Sequence, residues 1–302
     1  QWNINANISY NKNQIMQLPD GNKTVVEDNR YLMVGQPINS FRLSQYNGIY
    51  LNEDMIPFDP YTGLKYKNES GQYVQVGWAD YEDVDKDNQY VSWKDKKPIG
   101  DPNPKWVGGL NTNLSYGPWS LFVQTSFTLG RDILNTQFAK TMAPLSAQYG
   151  ADEEGVGFSG GPGANYANPA DGHWYYAEDF VARRMMVDLS RYSFWQKDGD
   201  NTNYPSRSQY MNNNNFIERS SLFLENGSYL KLNTIMLSYN LDKLKKWGIN
   251  NARLSLTAEN VAIIKSKNTL AADPSNVSPD GYYTGNGYGL PRKFTIGLMF
   301  DF

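Results

Sequence analysis

Three carboxylates at alternate positions, Asp83, Asp85 and Asp87 within Asp83-Val-Asp-Lys-Asp-Asn88, are spaced for cation chemistry. Oxygen ligands at i, i+2 and i+4 open a calcium loop, in which side chains wrap a hard cation. Such a loop wants glycine where Asn88 stands and glutamate where Lys94 stands. A structural calcium is therefore the narrower expectation and a solvated acidic loop the default. A second cluster, Asp171-Gly-His-Trp-Tyr-Tyr176, places the single histidine, His173, beside Trp174, Tyr175 and Tyr176. Aromatic faces stack on sugar rings and other planar groups. These four residues and Trp195 are candidate contacts for a substrate or a covering partner, with loop packing as the plainer alternative. Trp78 and Trp93 share that ambiguity.

Catalysis finds little support. One histidine and no cysteine leave few routes to a nucleophile-base pair, and the serines lack nucleophile-elbow spacing. The acids show no paired-carboxylate pattern and no glycine-rich loop is built to cradle phosphate. The chain is read as no enzyme. Without cysteine there are no disulfides or thiolate metal sites. A net charge of −3 excludes a strongly basic nucleic-acid binder. Arg183-Arg184 reads as surface charge.

The elements that must position these residues are strands. Trp2, Ile4, Ala6, Ile8 and Tyr10 share one face, and Asn3, Asn5, Asn7 and Ser9 the other. Leu110, Thr112, Leu114 and Tyr116 repeat the pattern; after Gly117-Pro118 it returns from Trp119 to Leu129. Leu254, Leu256 and Ala258 alternate with polar neighbours, as do Phe294, Ile296, Leu298, Phe300 and Phe302. Between Tyr229 and Leu241 the apolar phase switches, which a β-bulge near Asn233-Thr234 would repair. A further strand is expected over 37–50, and a short helix over Asp132–Leu145, capped by Asp132, with Leu134, Phe138, Met142 and Leu145 on one face.

The longer runs approach the 9–11 residues that a tilted strand needs to cross a bilayer. Their polar faces carry asparagine, serine, threonine and glutamine rather than the lysine and glutamate of a solvated sheet. Both facts point to a transmembrane antiparallel β-barrel segment, all-β, with outer-membrane lipid outside and a wet lumen inside. Short connections (Gly117-Pro118 and 242–250) alternate with the long loops 52–105 and 131–218, expected to be extracellular. Seven or eight strands are expected. Seven would place Gln1 on the opposite side of the membrane from Phe302, and odd parity would make the chain 1–302 one portion of a larger barrel. A self-contained small barrel or adhesin, and a soluble β-sandwich binding module, are the alternatives.

Several motifs carry a family resemblance. Gly100-Asp-Pro-Asn-Pro-Lys-Trp106 with Gly108-Gly109 and Asn111-Thr-Asn-Leu-Ser-Tyr116 resembles a segment of SusC/RagA-type TonB-dependent transporters. So do Gly130-Arg-Asp-Ile-Leu-Asn135, Trp195 followed by Asn203-Tyr-Pro205, Gly227-Ser-Tyr-Leu-Lys-Leu232, Ala258-Glu-Asn-Val261 and Pro291-Arg292 through Phe302. Gly297, Phe300 and Phe302 are similar to the terminal signal read by the barrel-assembly machinery. The resemblance implies the C-terminal part of a barrel of about 22 strands, in the outer membrane of a Bacteroidetes-like Gram-negative bacterium. It also implies uptake of large nutrients, oligosaccharides or peptides. The implied partners are the remaining N-terminal barrel-plus-plug portion, a SusD-like surface lipoprotein acting as a lid, and the TonB complex. No cofactor is implied beyond the calcium weighed above.

Overall fold

Alternating side chains produce the main element of the computed structural model, which describes residues 1–27, 30–69, 71–142, 165–167, 174–176, 192–197, 199–200, 202–206, 215–241, 251–285 and 290–301. The strands begin with β1 (Trp2–Tyr10), β2 (Val25–Glu27), β3 (Arg30–Leu32), β4 (Phe41–Leu43), β5 (Tyr46–Ile49), β6 (Ala79–Tyr81) and β7 (Lys97–Ile99). There follow β8 (Trp106–Tyr116), β9 (Trp119–Leu129), β10 (Asp132–Asn135), β11 (Asn165–Ala167) and β12 (Trp174–Tyr176). The last are β13 (Leu224–Asn226), β14 (Tyr229–Asn240), β15 (Asn251–Lys265), β16 (Tyr282–Tyr283) and β17 (Lys293–Asp301).

Six of these form one antiparallel sheet in the order β1-β8-β9-β14-β15-β17. Every neighbour in it is also the next long strand in sequence, so the sheet is a meander. Gly117 turns β8 into β9 with a φ of +56°, which glycine adopts without penalty. The bulge expected near Asn233 is present: register slips between Leu232 and Thr234 against both β9 and β15. The slip brings Leu230 and Leu232 onto the same face as Ile235 and Leu237.

The segment 37–50 does not join this sheet. Its strands are too short to span: β4 has three residues and β5 four. The alternation that suggested a strand belongs to Phe41 and Leu43, 1% and 0% exposed, which fill a separate core. With that strand removed, β1 pairs directly with β8, and Gln1 exchanges backbone hydrogen bonds with Ser115 at 2.8 and 2.9 Å. Gln1 therefore lies at the same end of the sheet as the Gly117-Pro118 turn and Asp301, opposite to expectation.

The long connections fold on their own at the other end. They contribute the small sheets β2-β3-β4-β7, β5-β6, β13-β10-β16 and β11-β12. One core joins Phe41, Leu43, Leu134, Phe138, Met142, Phe216 and Phe223. A second joins Tyr50, Ile56, Val74, Val76, Trp78 and Trp195. The expected helix is shorter than its pattern: Asp132–Asn135 is strand β10, and the helix runs Thr136–Met142. Asn135 caps it instead of Asp132, its Oδ1 accepting the Phe138 amide at 2.9 Å. Asp132 instead accepts the Asp101 amide at 3.0 Å, tying 100–105 to β10. Leu145 and the connection 242–250 lie outside the described residues.

Candidate membrane-facing surface and loop sites

Register carries one apolar row across all six long strands: Trp2, Leu114, Leu121, Leu237, Leu256 and Ile296. The next row is Ile4, Thr112, Val123, Ile235, Ala258 and Phe294. Both look outward, with Phe294 78% and Ile296 73% exposed. A continuous apolar surface of this kind marks contact with another apolar phase. Aromatic residues bound it. Tyr10 and Trp106 pack at 4.6 Å at one end, while Trp119 and Tyr239 pack at 4.7 Å beside Tyr116 at the other. The 11 residues of β8 run from one aromatic row to the other. At about 3.4 Å per residue and a tilt of ~40°, they span roughly 25 Å of height, the thickness of an outer-membrane apolar band.

Gly108 interrupts this face without leaving a hole. A Cβ there would meet the Phe127 ring at 2.6 Å, because the ring lies over the glycine backbone. The opposite face is polar, mostly amide and hydroxyl with one charged pair, as in the row Asn5, Asn111, Gln124, Thr234, Glu259 and Lys293. Neighbouring strands bond across it: Ser115 Oγ lies 3.2 Å from Ser120 Oγ, and Asn233 donates to Ser126 Oγ at 2.9 Å. Glu259 and Lys293 form an ion pair at 3.3 Å. Gly297 sits on this polar face opposite Ser255, whose Oγ would lie 2.7 Å from an added Cβ. Phe300 is on the apolar face opposite Ala252, and Phe302 lies outside the described residues.

At the loop end, carboxylate oxygens of Asp83, Asp85 and Asp87 come within 4.8 Å of one another. Their spacing did bring them together, but their acceptor capacity is partly used. Asp83 accepts from the amides of Lys86 and Asn88 at 2.7 and 2.9 Å and from the Tyr66 hydroxyl at 2.9 Å. Asn88 adopts a φ of +65°, the conformation glycine would supply there. Lys94, standing where a glutamate ligand was wanted, places Nζ 3.1 Å from Asp87 and 3.9 Å from Asp85. Its ammonium thus supplies one of the two positive charges a calcium ion would bring. Asp95, which the spacing did not single out, is fully buried and accepts the amides of Val84 and Val91 at 2.9 and 2.6 Å. Burial pushes its carboxyl above the ordinary range.

Trp195 is 5% exposed and lies in the second loop core with Trp78. Its ring covers Gly77, whose φ is +86°; a Cβ there would come within 2.2 Å of the indole. The visible side of this core is an open recess of about 670 Å³, bordered by Phe58, Tyr73, Val76 and Trp195, with the Glu53–Lys65 ion pair at its rim. Trp93 is 63% exposed. Trp174–Tyr176 form β12, paired antiparallel with β11, and His173 lies outside the described residues.

The loop after β15 is fastened by Glu225, which sequence reasoning did not select. Its carboxylate accepts the amides of Leu270 and Ala271, both at 2.9 Å, and the Asn135 side chain at 2.8 Å. Burial holds this carboxyl above the ordinary range, with those hydrogen bonds opposing the shift. Nothing in local spacing marks it, because its partners stand some 45 and 90 positions away.

No protein-family model matches the sequence. TonB-dependent receptor P3 of Formosa agariphila is 25% identical over 321 residues, aligned with all of this chain and 27% of its own length. TonB-dependent receptor P26 of the same organism is 25% identical over 317 residues, with the same coverage. Among solved structures, the RagAB peptide importer in its open-open state superposes with a TM-score of 0.59 at 20% identity, over 100% of this chain and 27% of the importer chain. Its closed-closed state also gives 0.59, at 19% identity over 99% and 27%. The chain thus spans about a quarter of the proteins it matches. The resemblance to SusC/RagA-type TonB-dependent transporters read from the motifs holds along the whole chain, and the relatives are receptors and importers rather than enzymes.

Proposed function

We propose that this chain forms the C-terminal wall of a SusC/RagA-type TonB-dependent transporter in the outer membrane of a Bacteroidetes-like bacterium. The observation that carries this reading is the exposed apolar face, continuous over six strands and edged with aromatic residues a bilayer apart. Lipid covers that face and the amide-rich face borders the lumen. β17 runs inward, so Gln1, Asp301 and the Gly117-Pro118 turn face the periplasm, and the folded connections lie outside. This sheet works with the remaining barrel-plus-plug portion. A SusD-like lipoprotein covers the outer loops and the TonB complex acts through the other portion. The cargo is a large nutrient, an oligosaccharide or a peptide; the peptide importer among the structural relatives supports the second without deciding between them. Cation binding at Asp83, Asp85 and Asp87 would require Lys94 to move.

Detergent extraction of the outer-membrane fraction tests this, followed by purification of the intact assembly and identification of its polypeptides by mass spectrometry. Plug sequence, on this polypeptide or a co-purifying one, together with a lipoprotein, is the expected result. A chain that purifies folded from buffer without detergent would overturn the reading.

A further inference from the structure

β15 and β17 are neighbours in the sheet, and the Asn260 side chain donates to the Pro291 carbonyl at 3.1 Å. A tight turn would close the hairpin there, yet residues 261–290 intervene. Residues 266–284 use that length to cross the sheet. β13 leads into β14, β10 continues β9, and β16 pairs with β10 on the edge away from β13. The chain therefore leaves β15, passes β14 and β9, and arrives at β16 three strand positions away. At about 4.8 Å between strands the crossing covers roughly 14 Å.

Register fixes the side on which it crosses. Leu230 and Leu232 face outward, so Lys231 faces inward, in one row with Asn7 and Ser126. Lys231 is buried; its Nζ donates to Ser275 Oγ at 3.1 Å and pairs with Asp273 at 3.4 Å. Lys265, inward because Ile264 faces outward, donates to the Ala271 carbonyl. Lys231 stands three register steps inside the Tyr10–Trp106 row, so the crossing lies in the mouth of the sheet rather than beyond it. Its two ends are fixed. Thr269 donates to the Asn226 carbonyl at 2.7 Å, beside the Glu225 fastening. The Gly281 carbonyl accepts the Leu134 amide at 3.0 Å, and Gly281 leaves no room for a Cβ against Pro102. Between these ends Arg131 donates to the Pro274 carbonyl, and Ala271 and Val277 pack with Ile133.

We infer that residues 266–284 form a fixed strap across the inner face, which narrows the outer mouth and limits the width of the cargo admitted. Only on the transport reading, on which this rests, does the polar face border a passage, and pore width is then a determinant of selectivity. A loop tethered at its ends alone would be pushed aside by a wide solute. This one is also held at its middle, by Arg131 and Lys231.

The test places the detergent-purified full-length transporter, plug included, in planar lipid bilayers, with the lowest urea concentration that displaces the plug and opens the wild type. Channel current is recorded with polyethylene glycols of increasing size, and glycols small enough to enter lower it. One variant, Arg131→Gln with Lys231→Met, frees the middle of the strap. In the other, residues 267–288 are replaced by a short glycine-serine turn. Both are expected to move the size cut-off to larger glycols. Loss of charge alone would change the conductance and leave the cut-off in place. Should the double variant lose its heat-modifiable fold, the shortened chain decides. Equal cut-offs in the wild type and the shortened chain overturn the strap and leave the transport reading standing. A wild type that forms no channel at any urea concentration overturns the transport reading, and the strap with it.

Discussion

Phe294 in the long sheet is 78% exposed, and Phe223 in the loop region is 0% exposed. The same side chain meets opposite surroundings within one chain. The sheet turns its apolar residues outward and shares amides and hydroxyls across its inner face. The loops do the reverse, gathering phenylalanines from Phe41 to Phe223 around a dry centre. Water drives the second arrangement through the hydrophobic effect. It does not drive the first, whose outer face lies against lipid on the reading proposed above. One region is therefore solvent-dependent and the other self-contained.

The sharpest way to separate the two is to damage one core. Phe223→Ala is expected to destabilise the loop region by about 3–5 kcal/mol through the cavity it leaves. Limited proteolysis should cut the long connections at lower temperature, while the heat-modifiable gel shift of the sheet persists; simultaneous loss of both would break the comparison. Next in size, Val123→Arg puts a charge into the apolar face of β9 and should disfavour membrane insertion by about 2–4 kcal/mol. Gln124→Arg, one residue along on the polar face, should leave the amount in the outer-membrane fraction near wild type. Equal losses would mean that the faces are misassigned.

A third test concerns the Glu225 fastening. Because the folded state binds its proton more tightly than the unfolded chain, stability is greatest below the ordinary glutamate range and falls as pH rises toward the raised folded value. Glu225→Gln should flatten that decline in the thermal midpoint of the loop region between pH 4 and 8. Glu225→Leu should lower stability by about 2 kcal/mol at all pH values, because it strands two amides and an asparagine. The smallest effect is expected at the acidic triad. Millimolar calcium should shift the wild-type midpoint by less than about 1 °C, since the Lys94 ammonium already pairs with Asp87 and lies beside Asp85. Lys94→Ala should respond more strongly, and a large wild-type shift would restore the calcium reading.

The sheet was legible in the sequence because its signal is local. From Trp2 to Tyr10 and, apart from Met299, from Lys293 to Asp301, each residue declares its face by contrast with its neighbours. Even the bulge at Asn233 showed as a change of phase. The loop region was not legible, because Phe41, Leu134 and Phe223 meet across more than 180 positions without periodicity. Phe41 and Leu43 carry a two-residue period like that of a spanning strand, but it serves the loop core. Asp83, Asp85 and Asp87 met as their spacing implied. Lys94 had registered as a missing ligand; its role as a counter-charge needed the fold. Trp195 was singled out for its chemistry, and its burial over Gly77 became visible only in three dimensions.

The tryptophans make these two regions separately visible to light. Trp2, Trp106 and Trp119 lie on the outer face of the sheet, 66%, 41% and 48% exposed. Lipids bearing bromine near their headgroups would quench their fluorescence. Trp93, 63% exposed on a loop, is open to iodide in solution. Trp78 and Trp195, each 5% exposed, are sheltered from both quenchers and shift to longer wavelength only when their core admits water. A single emission spectrum recorded during heating thus contains two clocks, one for release from the bilayer and one for the opening of the loops.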